Sequence, residues 1–191
     1  MVVGRILSPV HSLGPGERVC LWTQGCRKNC PGCISPDLQP FSKAAIDNRK
    51  LSDILILIGK KGCCTGLTVS GGDPFEQADD LLQLLCFVRN EFEDILVYTG
   101  YTLDEINRGV AGESGIKCLE YIDVLIVGRY EKKLNTPDCV LRGSANQVIH
   151  YLNEIKKADY AEYLKGGRII ETFVHNNTRI LTGILNEEEN K

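Results

Sequence analysis

No stretch of this chain stays apolar for the roughly 18 residues that a membrane span takes. Its start carries one early cation, Arg5, without the long apolar run of a secretory leader. A membrane setting is therefore not expected, and the cytoplasm is the default. Excess charge of one sign is lacking too. The net charge is −3, with 25% charged residues, which argues against nucleic acid as the main partner. Histidine is scarce, with three in 191 residues. His11, His150 and His175 belong to no motif, and each reads as a surface or turn residue. Internal repeats and low-complexity tracts are absent. A chain of 191 residues that is 43% hydrophobic fits one globular domain with a small appendage.

Cysteine is abundant, at nine residues. The number is odd and no export signal accompanies it, so a disulfide framework is not expected. Three of the nine form Cys26-x3-Cys30-x2-Cys33, inside the stretch RVCLWTQGCRKNCPGCISPD from Arg18 to Asp37. No fourth cysteine or histidine follows at a short interval. Tetrahedral zinc usually closes with four ligands. Three clustered thiolates instead suit three irons of a cubane cluster and leave the fourth iron open to a substrate or cofactor. Structural zinc with Cys20 as the fourth ligand stays as the alternative. Cys20, Cys63, Cys64, Cys86, Cys118 and Cys139 form no second tight motif and read as core or half-buried thiols. The adjacent pair Cys63-Cys64 also admits a redox reading.

The rest of the chain alternates strand and helix patterns. Val2–Leu7 and Val19–Thr23 read as strands, the second running directly into the cysteine loop. Leu51, Ile54, Leu55 and Ile58 repeat at helical spacing, as do Ala78, Leu81, Leu82, Leu85 and Val88. Short strands are expected at Leu67–Val69, Ile95–Tyr98 and Tyr121–Val127. Thr102-Leu103-Asp104-Glu105 is a capping box that opens a third helix. A last helix is expected from Leu152 to Leu164, ended by Gly166-Gly167. Alternation of this kind makes a parallel sheet with helices outside. A full barrel takes about 250 residues, so the expectation is an α/β fold, a partial (βα)5-6 barrel over residues 1–165. Residues 166–191 are expected to add a C-terminal β-hairpin around His175-Asn176-Asn177 and a charged tail, NEEENK. Sites in such folds lie at the C-terminal strand ends. The cysteine loop, Gly71-Gly72-Asp73, Thr99-Gly100-Tyr101 and Gly128-Arg129 all fall there.

The turn Gly71-Gly72-Asp73 suits an ammonium ligand, because backbone carbonyls and a carboxylate accept what an ammonium donates. Asp73-Pro74 is equally a helix N-cap followed by a first-turn proline. Thr99 offers a hydrogen bond to a ligand, and Tyr101 offers a pocket wall. Arg142, Ser144 and Asn146, with Gln147, form a polar group that core packing does not require. They suit a polar ligand, or the ordering of a late loop. Arg129 is a candidate for a partner-docking rim.

Six segments carry a resemblance. They are LGPGER at 13–18, WTQGCRKNCPGC at 22–33, SGGDPF at 70–75, YTGYTLDEI at 98–106, DVLIVGRYE at 123–131 and RGSANQ at 142–147. In this order they resemble the radical S-adenosylmethionine superfamily, and within it the activating proteins of anaerobic ribonucleoside-triphosphate reductases. The resemblance implies a [4Fe-4S] cluster on Cys26, Cys30 and Cys33. It implies S-adenosylmethionine against Gly71, Gly72, Asp73, Thr99, Tyr101, Arg142, Ser144 and Asn146. It implies reductive cleavage of that cofactor and removal of a backbone Cα hydrogen from a partner. No side chain is assigned a catalytic role beyond cluster and cofactor. The implied partners are an anaerobic ribonucleotide reductase or another glycyl-radical protein, with flavodoxin or ferredoxin as reductant. Two positions depart from the pattern. Gly32 stands where many members carry an aromatic residue against adenine, and Ser35-Pro36 stands where Asn-Pro is common. A radical enzyme acting on a peptide or small metabolite, and a non-catalytic metal-binding module, are the rival readings.

Overall fold

The computed structural model describes residues 1–175 and 178–185. Six strands form one sheet in chain order: β1 (Val3–Val10), β2 (Arg18–Thr23), β3 (Gly66–Gly71), β4 (Asp94–Thr99), β5 (Val124–Val127) and β6 (Val148–Tyr151). β2 to β5 run parallel, while β1 and β6 are antiparallel to their neighbours. Every residue of β2 and β5 is buried, as expected of parallel strands covered on both faces.

Alternate side chains divide between two cores. Val19, Leu21, Leu67, Val69, Val97 and Leu125 face one side. There they meet α1 (Asn48–Lys61), α2 (Ala78–Val88) and α4 (Gly112–Cys118) through Leu51, Leu55, Leu81, Leu85 and Cys118. Asp47 starts α1 by accepting from the Lys50 N–H, and a complete Thr102–Glu105 capping box starts α3 (Leu103–Asn107), as expected. On the other face Cys20 and Trp22 pack with Val10, Leu13 and Leu38. Beside them, Leu96, Val124 and Ile126 pack with Tyr160 of α5 (Lys157–Lys165).

The α/β architecture with a mostly parallel sheet is as expected, but the alternation fails at both ends. Among the described residues β1 and β6 each have one neighbour, so the sheet is open. The loop 11–17 between β1 and β2 is too short for a parallel crossover, which takes a dozen or more residues, and a hairpin results. At the other end, Val148–Tyr151 forms a strand that was not expected, and α5 starts only at Lys157. Val148-Ile149-His150-Tyr151 is a short edge strand of exposed and half-exposed residues.

One buried network ties the strands at the ends where they begin. Arg18, Gly66 and Asp94 are adjacent in register. The Arg18 guanidinium donates to the Asp94 carboxylate at 2.6 Å, to the Thr68 hydroxyl at 2.6 Å and to the Leu67 carbonyl at 2.9 Å. The Tyr160 hydroxyl donates to the same carboxylate at 2.8 Å.

A separate hairpin, β7 (Ile170–His175) with β8 (Thr178–Gly183), follows α5. The expected turn at 176–177 and tail at 186–191 lie outside the described residues. The Glu171 carboxylate accepts from the backbone N–H groups of His11 and Ser12, at 2.9 and 2.7 Å, and lies 3.0 Å from His11 Nδ1. This contact holds the hairpin to the β1–β2 loop and gives His11 a structural use that no motif announced. Among the described residues, no helix is long and apolar enough to cross a membrane.

Candidate functional site

The parallel strands end level with one another: Thr23 of β2 lies opposite Gly71 of β3, and Thr99 of β4 opposite Val127 of β5. A cavity of ≈700 Å³ opens there, within the range of roughly 300–1,000 Å³ typical of small-molecule sites. Cys26, Cys30 and Cys33 line it, together with Gly71, Gly72, Asp73, Thr99, Gly100 and Gly128.

β2 feeds directly into the cysteine loop. Backbone bonds from Gly25 N to Leu38 O and from Cys26 N to Gln39 O, at 2.8 and 2.9 Å, fasten the loop's start to its end. Positive φ at Gly25, Asn29 and Gly32 keeps the path irregular, which lets side chains three and four residues apart turn toward one space. A Cβ on Gly32 would come within 2.9 Å of the Lys132 side chain. The position that is often aromatic is therefore occupied from across the loop. The aromatic residues that do line the cavity are Trp22, Tyr98 and Tyr130.

Among the described residues, no three His, Cys, Asp or Glu side chains converge so as to hold a single metal ion. This is compatible with a cubane, in which each thiolate binds its own iron and the sulfurs stand further apart. Cys20, the proposed fourth zinc ligand, is buried between Val10, Leu13, Trp22 and Leu38 and does not line the cavity. Cys64, Cys118 and Cys139 are buried as well, while Cys63 and Cys86 are exposed.

The Gly71-Gly72-Asp73 turn is stitched to the cysteine loop. Gly72 N donates to Thr23 O at 2.8 Å, and Asp73 N to Gly25 O at 3.0 Å. A Cβ on Gly71 would collide with the Thr23 backbone, and one on Gly72 with the Gly25 backbone. The two glycines thus admit the backbone of the cysteine loop itself. Asp73 is buried and caps the turn, accepting from Phe75 N at 3.1 Å. It also accepts from the Thr99 hydroxyl at 2.9 Å and from Gly100 N at 3.0 Å, which binds the end of β3 to the end of β4. Burial pushes its pKa up to about 6, against the opposing pull of those hydrogen bonds and of the Lys28 charge.

Four residues expected at the cofactor fall outside the cavity lining. Tyr101 lies under Lys28, whose Nζ is 3.0 Å from its ring centroid, and its hydroxyl is 3.4 Å from Glu76 Oε1. Arg142 donates to the carbonyls of Ala145 and Gln147. Ser144 accepts from Glu131 N, and Asn146 donates to Arg129 O. These three shape the loop that brings Gly143 and Gln147 to the cavity, where Gln147 also donates to Gly128 O at 2.8 Å. Lys28 was overlooked. It lines the cavity and pairs with the buried Glu76 at 3.6 Å. Its position between Cys26 and Cys30 was the available signal.

Residues 12–150 match the family model of a 4Fe-4S single cluster domain, which defines the class: proteins that carry one iron–sulfur cluster. Curated relatives narrow it. The chain is 36% identical over 149 residues to the anaerobic ribonucleoside-triphosphate reductase-activating protein of Escherichia coli K12, across 73% of this chain and 91% of that one. The protein of the same description from Vibrio cholerae is 37% identical over 143 residues, covering 72% and 89%. That of Enterobacteria phage T4 is 33% identical over 138 residues, covering 70% and 83%. The chain belongs to the family of anaerobic ribonucleoside-triphosphate reductase-activating proteins.

Proposed function

We propose that this protein activates an anaerobic ribonucleoside-triphosphate reductase by creating a glycyl radical on it. The observation that carries the reading is the shared cavity: three thiols and the Gly71-Gly72-Asp73 turn line one space and are joined by backbone hydrogen bonds. Cys26, Cys30 and Cys33 would hold a [4Fe-4S] cluster, and S-adenosylmethionine would lie against Gly71, Gly72, Asp73 and Thr99. When bound, these groups supply one-electron reductive cleavage of a sulfonium and abstraction of a hydrogen atom from the partner. The chain's own residues position and enclose. Asp73 offers its carboxylate to an ammonium group while Thr99 and Gly100 hold that carboxylate in place.

The open, mostly parallel sheet reads as a partial barrel of the radical S-adenosylmethionine type over residues 1–165, with 166–191 as an added unit. An open mouth suits a substrate that is a loop of a large protein. Flavodoxin or ferredoxin is the proposed reductant. The cysteines, free throughout, support a reducing, cytoplasmic setting.

The test is anaerobic electron paramagnetic resonance on the reconstituted, reduced protein with S-adenosylmethionine and the reductase from the same cell. A glycine-centred doublet that requires every component is expected. 5′-Deoxyadenosine without a doublet would transfer the assignment to a peptide or metabolite substrate.

Asp73→Asn separates binding from capping. Asparagine keeps an acceptor for Phe75 N but removes the charge. A charge-assisted hydrogen bond contributes about 1.5–3 kcal/mol, so S-adenosylmethionine affinity should fall about 10- to 100-fold at neutral pH. Wild-type affinity should itself fall as pH drops through about 6, the raised pKa of Asp73, because the protonated acid cannot pair a cation; the variant should lack this dependence. Equilibrium binding alongside melting curves decides it, since the new amide faces Gly100 N and folding must be checked separately. Unchanged affinity would leave Asp73 as a cap alone.

A further inference from the structure

The wall opposite in sequence to the cysteine loop is strand β8, and it meets the cavity in an unusual way. Thr178 through Leu185 line the cavity without a gap. Side chains of a strand alternate between two faces, so contact through one face would reach only every second residue. Contact with every residue is the pattern that a cavity along the strand's edge would give. Among the described residues none of β7 lines the cavity, so this is the edge turned away from β7. Among the described residues, β8 pairs with β7 alone. The edge therefore presents unpaired N–H and C=O groups to the space that Cys26, Cys30 and Cys33 also line.

The hairpin is anchored firmly enough to act as a template. The Glu171 contacts with His11 and Ser12 hold one end, and Ser12 Oγ lies 3.0 Å from Thr182 Oγ1. Asn135 Nδ2 donates to Leu185 O at 2.9 Å, and Phe173 and Ile184 pack against the cluster around Leu13 and Trp22. These anchors use the face and ends of the hairpin and leave the cavity edge of β8 open. The family model ends at residue 150, so this wall lies beyond it.

We propose that β8 is the docking strand for the substrate: an extended segment of the partner protein adds to its free edge as a third strand and is thereby drawn into the cavity. The inference deepens the proposed function and rests on it. Strand addition recognises backbone through main-chain hydrogen bonds. It therefore suits a target whose reacting atom is itself in the backbone and whose residue, glycine, offers no side chain to grip. A free metabolite has no such backbone to pair.

The experiment is amide hydrogen exchange at single-residue resolution on the full-length, cluster-loaded protein with the anaerobic reductase, run beside the radical measurement. Strand addition protects alternate amides, those directed away from β7. Within 178–183 these should exchange at least about tenfold more slowly with the reductase present, as expected for the gain of one hydrogen bond each. Proline at a residue protected in this way removes the outward N–H from an edge where proline is otherwise tolerated. It should weaken reductase binding about tenfold relative to alanine at the same residue. A glycyl radical formed without protection of β8 would overturn the docking strand and leave the activation reading intact. Protection without a radical would support the docking strand and overturn activation. Absence of both would overturn both, and equal binding by the proline and alanine variants would overturn the strand-addition mode.

Discussion

Alanine in place of Cys30 is expected to abolish cluster incorporation and all 5′-deoxyadenosine formation while the fold survives. The loop that carries Cys30 is held by backbone bonds, Gly25 N to Leu38 O, Cys26 N to Gln39 O and Cys33 N to Cys30 O, and alanine keeps all three. The side chain is partly exposed, so its removal should change stability by no more than about 0.5 kcal/mol. The chemical loss is of another order. A cubane held by three protein thiolates has none to spare. Cys20→Ala is the control. Its sulfur is buried outside the cavity, so this variant should keep its cluster and lose about 1 kcal/mol of packing, as for one buried methyl group. Iron and sulfide content, the visible absorption of the cluster and 5′-deoxyadenosine yield decide the matter. A full iron complement in Cys30→Ala would sink the ligand assignment. Loss of metal in Cys20→Ala would revive the four-ligand zinc site.

The contrast between those two cysteines shows what was legible in the sequence. Cys26, Cys30 and Cys33 are three and four residues apart, so local spacing alone groups them. Likewise the capping box at Thr102–Glu105, the periodic faces of α1 and α2 and the four parallel strands are short-range patterns, and each was readable. Contacts between distant segments were not. Lys28 meets Glu76 and Tyr101 from another loop. Glu171 reaches His11 across 160 residues. Nothing local marks either pair. The glycines at 71 and 72 illustrate a subtler limit. The turn they form suits a ligand, yet the atoms that a Cβ at either position would strike belong to Thr23 and Gly25. A glycine announces that something approaches closely; only the fold says what. Of the polar group, Gln147 reaches the cavity, while the hydrogen bonds of Arg142, Ser144 and Asn146 close a loop, the second of the two uses their composition suggested.

Arg18 belongs to a matched motif, yet its chemistry is structural, and it carries the largest expected effect on stability. Asp94→Asn should destabilise the protein by about 3–5 kcal/mol, because it leaves the guanidinium buried without its counter-charge. For a chain of this size that corresponds to a fall in melting temperature of about 6–20 °C. Arg18 has no exposed side-chain surface, and Asp94 very little. The ion pair spans β2 to β4 across β3, which is possible because the intervening residue in register is Gly66. A Cβ there would lie 2.5 Å from Arg18 Nη1, so Gly66→Ala should destabilise through the same network. Because Arg18, Gly66 and Asp94 sit where the strands begin and the cavity proposed for the cofactor lies where they end, both variants should bind S-adenosylmethionine normally while folded. Thermal unfolding and ligand binding measured on the same samples therefore separate the two ends of the sheet. A melting temperature for Asp94→Asn within about 2 °C of wild type, less than about 1 kcal/mol, would mean that the pair's attraction is almost wholly offset by the desolvation of its charges. In that case the close approach at Gly66, not the ion pair, would be what makes β2, β3 and β4 start together.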